Sequence, residues 1–67
     1  MVKNFDLTPL ECEVLLLMTE GRFNQEIAYR LSVDRSVVDQ AVGQIIQKLG
    51  ARSRTEAALI AIRRHVV

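Results

Sequence analysis

The chain contains no tryptophan, one tyrosine and two phenylalanines, so its interior must be filled by aliphatic side chains, which dominate the 49% of residues that are apolar. A single cysteine excludes an internal disulfide, and a single histidine excludes a histidine cluster with metal-ligand spacing. No run of about eighteen apolar residues occurs, and the opening MVKNFDLTP has no apolar stretch of signal-peptide type. Neither membrane insertion nor export is indicated, and a cytoplasmic location is expected. A strong excess of positive charge is also missing, the formal net charge being +1. No Ser, His and Asp constellation, glycine-rich phosphate loop or carboxylate pair stands out, so neither an enzyme nor a cofactor is expected.

What is present fits one small domain. A chain of 67 residues buries only about 60% of the surface that its unfolded form exposes, so its core is marginal and self-association is expected. Charge is uneven along it. Residues 1–20 carry Lys3 against Asp6, Glu11, Glu13 and Glu20, whereas residues 51–67 carry Arg52, Arg54, Arg63 and Arg64 against Glu56.

The local signals divide the chain into an arm and four helices. Residues 1–6 show no periodicity and read as a flexible arm, with the domain proper over 7–67. Thr8 as N-cap, Pro9 at the first helical position and Glu11 three residues after Thr8 form a capping box, predicting a helix from Pro9 to about Glu20 that ends at Gly21. Its interior, including Leu10, Cys12 and residues 14–18, is too continuously apolar for one buried stripe, so part of it must face a second surface. Cys12 reads as an ordinary helix residue. Asn24 reads as the N-cap of a short helix whose inward face is Ile27, Ala28 and Leu31.

Residues 32–34 leave no room for a strand, and Asp34 can cap a long helix over 34–50. There Val38, Val42, Ile45 and Leu49 recur at i, i+4, i+7 and i+11, which turns Arg35, Ser36, Asp39, Gln40, Gly43, Gln44 and Gln47 outward. Two helices joined so tightly form a helix-turn-helix. Lys48 suits the negative end of the long helix before Gly50 stops it, and Ser53 with Glu56 opens a fourth helix over 54–65, in whose last turn His65 lies. The expected fold class is all-α, a compact four-helix domain containing a helix-turn-helix.

Five separated blocks then carry a resemblance: LTPLECEVLLLMTEG (7–21), NQEIAYRL (24–31), the Val33 position, QKLG (47–50) and SRTEA (53–57). In this order and spacing they resemble the DNA-binding domain of LuxR-type, or GerE-type, bacterial transcription regulators, over residues 7–67. The resemblance implies a third helix that enters the major groove, a fourth that forms a dimer contact, and a role as the output module of a larger regulator. An excised module and a freestanding small protein both fit. The family typically shows Thr-Val-Lys-x-His in the third helix, where this chain has Val37, Val38, Asp39, Gln40 and Ala41.

Candidate roles follow residue by residue. Gln40, Gln44 and Gln47 share one helix face and can bond adenine edges bidentately, Asp39 can accept from a cytosine amino group, and Gly43 allows close approach. Asn24, Gln25, Arg35, Ser36, Lys48, Arg52 and Arg54 are the candidate phosphate anchors. The run AALIAI (57–62) is apolar on more than one face, making Ala58, Ala61, Ile62 and His65 candidates for a two-fold contact. The expected partners are double-stranded DNA, a second copy of the chain, and a regulatory domain or related regulator, with no membrane. The alternative function is a protein-interaction module, such as an antagonist of a related regulator, that keeps the fold with weak or no DNA binding. Its motive is the changed polarity at Val37, Asp39 and Ala41 together with the extra apolar residues Leu10, Cys12 and Leu16.

Overall fold

A computed structural model describes residues 5–66. Within them four helices follow one another without a strand: α1 (Pro9–Thr19), α2 (Asn24–Leu31), α3 (Arg35–Leu49) and α4 (Arg54–Arg63). This is the expected all-α, four-helix arrangement. Residues 1–4 of the expected arm lie outside the described residues. Its other two residues are held: Phe5 packs partly buried against the core, and the Asp6 carbonyl accepts a 3.0 Å hydrogen bond from Lys48 Nζ.

The apolar excess of α1 is explained by its two neighbours, because it packs against both α3 and α4 while α2 leans on α3. Val14 and Leu15 are fully buried and Leu17 and Met18 nearly so, whereas Leu10 and Cys12 are half-buried and Leu16 is exposed. The largest fully buried side chains are Leu15, Ile27, Ile45, Val14 and Val38. Each contributes roughly 1.5 to 3 kcal/mol through removal from water.

All four helices stop in the same way. Gly21, Ser32, Gly50 and His65 each take a left-handed backbone, with φ between 53° and 80°. The next residue's N–H bonds the carbonyl five positions back, as in Arg22 to Leu17, Val33 to Ala28, Ala51 to Ile46 and Val66 to Ala61. These are Schellman closures, and in three of them the residue after the left-handed one, Val33, Ala51 or Val66, packs against the core. The turn between α2 and α3 is therefore a helix stop at Ser32 followed directly by a helix start.

The caps differ from expectation in detail. The box of Thr8 and Glu11 is complete, with bonds of 2.9 and 3.1 Å. Asn24, expected as N-cap of α2, is instead its first residue; Phe23 occupies the cap, and its N–H donates to Glu26 Oε1 at 3.0 Å. The reason is that the Asn24 side chain is engaged across the fold, as described below. Asp34 does sit at the N-cap of α3, but its side chain makes no capping bond. At α4, Ser53 Oγ accepts from Glu56 N–H, yet the Glu56 carboxylate takes the N–H of Arg52 rather than that of Ser53. α4 ends at Arg63, so His65 lies beyond the helix and not in its last turn.

Candidate nucleic-acid interface

The α3 stripe of Val38, Val42, Ile45 and Leu49 is buried, and the buried Ile27 and Ala28 of α2 brace it from one side. Burying that stripe turns the opposite face out, and Arg35, Ser36, Asp39, Gln40, Gly43, Gln44 and Gln47 are all exposed. Ala41 is not part of this face. It is buried, which corrects the expectation that it alters the outer surface. Val37 is half-buried and borders a shallow depression shared with Thr8, Leu10, Gln40 and Gln44. A Cβ built on Gly43 meets no atom within 4 Å, so nothing inside the domain requires glycine there.

One side of this face is tied together by a small polar network. Asp39 Oδ1 accepts from Asn24 Nδ2 at 2.8 Å and lies 3.6 Å from Arg35 Nε. Arg54, from the first turn of α4, donates to Asn24 Oδ1 at 2.6 Å and to the Arg22 carbonyl at 3.2 Å. Three candidate phosphate anchors, Asn24, Arg35 and Arg54, are thus brought together around one acid. Gln25, Ser36 and Arg52 are exposed, and Gln25 lines one groove with Asn24, Arg35 and Arg54.

Lys48 is placed differently from the other anchors. It is half-buried and bonds Glu11 Oε1 at 2.7 Å as well as the Asp6 carbonyl. Burial alone would raise the pKa of Glu11, but bonds from Lys48 and from the Thr8 N–H and the positive charge of Lys48 outweigh it and hold the carboxyl below the ordinary carboxylate range. Both cations of α3 therefore already have acidic partners.

Of the candidate dimer residues, Ile62 and His65 are exposed and Ala58 is half-buried, while Ala61 is fully buried and points into the core. Leu59, also exposed on α4, was missed by sequence reasoning, although its place in AALIAI was signal enough. A second omission is an open groove along α2 lined by Arg22, Phe23, Tyr29, Arg30, Arg35 and Arg54, in which both rings are exposed. Its signal is weak, since two aromatics six positions apart do not repeat at helical spacing. Among the described residues no helix is long and apolar enough to cross a membrane.

With this geometry in place, comparison with known proteins is specific. The family described as "GerE: Bacterial regulatory proteins, luxR family" matches residues 6–61. The chain is 43% identical over 58 residues to the transcriptional regulatory protein LnrK of Bacillus subtilis (strain 168), covering 87% of this chain and 26% of LnrK. It is 39% identical over 61 residues to the transcriptional regulatory protein LiaR of the same organism, covering 91% of this chain and 29% of LiaR. The chain thus spans about a quarter of the length of these curated relatives. Among solved structures, that of the transcription factor GerE superposes with a TM-score of 0.80 at 28% identity, covering 91% of this chain and 90% of that one.

Proposed function

Because the chain belongs to the luxR family of bacterial regulatory proteins, we propose that it is a sequence-specific DNA-binding module of a transcription regulator that lays α3 in the major groove. The observation that carries this reading is the exposed face of α3, where Gln40, Gly43, Gln44 and Gln47 stand clear of the core on a helix braced by α2. Gln40, Gln44 and Gln47 are suited to adenine edges, and Gly43 leaves room for the duplex to come close. Asp39 shares this face but uses its carboxylate on Asn24 and Arg35. Asn24, Gln25, Arg35, Ser36, Arg52 and Arg54 flank the face and supply phosphate contacts, with Lys48 a more distant contributor.

Dimerisation through α4, with Ala58, Ile62, His65 and the exposed Leu59 as its outer surface, would set two α3 helices about 34 Å apart on a pseudo-palindromic site. A regulatory domain is the further partner proposed, given that the match spans about a quarter of its curated relatives. One observation favours the second reading, a protein-interaction module or antagonist: both α3 cations, Arg35 and Lys48, are engaged by Asp39 and Glu11.

Selection from a random duplex pool at low salt separates the two readings. A bound, enriched sequence is expected, and Gln44→Ala is expected to weaken its binding by about 1 to 3 kcal/mol. No retardation of any duplex at micromolar protein would instead support the interaction module.

A further inference from the structure

The acid at position 39 stands where DNA would lie, and its carboxylate is not idle. Its Oδ1 receives Asn24 Nδ2 at 2.8 Å from α2 and faces Arg35 Nε at 3.6 Å from its own helix. Asn24 is oriented for this from behind, because Arg54 of α4 holds its Oδ1 at 2.6 Å and is itself fixed on the Arg22 carbonyl. An amide donor from α2, steadied by α4, and a guanidinium charge from α3 thus meet at one anionic oxygen. An amide N–H bonded to an oxygen that lies 3.6 Å from a guanidinium nitrogen is a set that a phosphodiester oxygen satisfies equally well.

The hold is also weak enough to release. The side chains of Arg35 and Asp39 are 63% and 52% exposed, and an ion pair in that much water is screened and contributes little to stability. We propose that Asp39 is an internal stand-in for a backbone phosphate: in the free domain it fills the donor pair of Asn24 and Arg35, and a DNA phosphate displaces it on binding. This deepens the DNA-binding reading and rests on it.

Two consequences distinguish a stand-in from a stray negative charge. While Asp39 holds Arg35, that cation is withheld from phosphates, so contacts with any duplex are weakened irrespective of sequence. Asp39 therefore acts through Arg35 and Asn24 as a positioning residue that lowers affinity for selected and random duplexes alike, leaving discrimination between them to the glutamine face. A bystander acid would repel DNA equally well with Arg35 absent.

The test compares wild type with Asp39→Ala, Arg35→Ala and the double variant, all checked for helical content by circular dichroism. Binding to a random-sequence duplex is measured between about 50 and 200 mM salt. Asp39→Ala is expected to bind more tightly and to steepen the slope of log K against log salt by about 0.9, one added phosphate contact, so that its advantage shrinks about 3.5-fold across that range. In the Arg35→Ala background the same change is expected to give no gain. A second measurement dispenses with DNA: inorganic phosphate titrated into Asp39→Ala is expected to shift the Asn24 side-chain amide resonances, and not to shift them in wild type. A gain that persists without Arg35, or an Asn24 amide that ignores phosphate in Asp39→Ala, overturns the stand-in. If phosphate shifts Asn24 in Asp39→Ala while no variant binds any duplex, the donor pair stands and the DNA-binding reading falls.

Discussion

Glu11 is only 6% exposed yet is held ionised by groups from two other parts of the chain, and this makes one residue answerable for part of the domain's acid sensitivity. Its carboxyl lies below the ordinary range when folded, so the unfolded chain binds the proton more readily. Its stabilising contribution is therefore complete above the ordinary glutamate value and is lost as pH falls through the lower, folded one. Resistance of wild type to urea should fall progressively below about pH 4.5, and Glu11→Gln should be less stable at pH 7 with a flatter acid limb. At this scale the sequence was legible where periodicity governs: the seven outward residues of α3 and its four inward ones face as their spacing requires. It was not legible for Asn24, whose partners Asp39 and Arg54 lie 15 and 30 residues away and meet it only through the way the helices pack. The burial of Ala41 escaped for a related reason, since a four-position stripe understates how wide a face α1 and α2 together cover on α3.

Three of the four helices begin on side-chain bonds and all four end on backbone ones, and the two kinds were not equally readable. Gly21 and Gly50 announce their stops, but Ser32 and His65 adopt the same left-handed geometry with a Cβ present. That geometry costs an L-residue about 1 to 2 kcal/mol, part of which glycine would forfeit again as chain entropy. Ser32→Gly is accordingly expected to raise stability by about 0.5 to 1 kcal/mol, seen as a higher urea midpoint with an unchanged slope. Missing the stop at His65 is what extended the expected fourth helix by two residues. Within α3 the opposite exchange is informative. Gly43 is open on its outer side, so Gly43→Ala should add about 1 kcal/mol to stability through helix propensity alone. If the duplex comes close there, the same variant binds its selected site less tightly, and a stability scan beside a gel shift reads both effects.

A single 67-residue domain with an aliphatic core has little stability in reserve, and what it leaves uncovered bears on its assembly. Ile62 is 54% exposed on α4, with Leu59 exposed one turn earlier. If α4 forms the dimer contact, Ile62→Glu should shift sedimentation toward the monomer while leaving helical content unchanged, because Ile62 lies outside the buried core. Affinity for a two-fold site should fall about a hundredfold once the second half-site is no longer tethered. The whole-molecule arrangement was readable from the order of caps and stripes, whereas the groove along α2 was not, since it exists only once Arg35 and Arg54 from two other helices close its walls. Lys48 has one last effect, a mechanical one. By gripping the Asp6 carbonyl 42 residues away, it ties the chain just before α1 to the last turn of α3, so that a pull there loads α3 through this bond as well as α1 through the backbone.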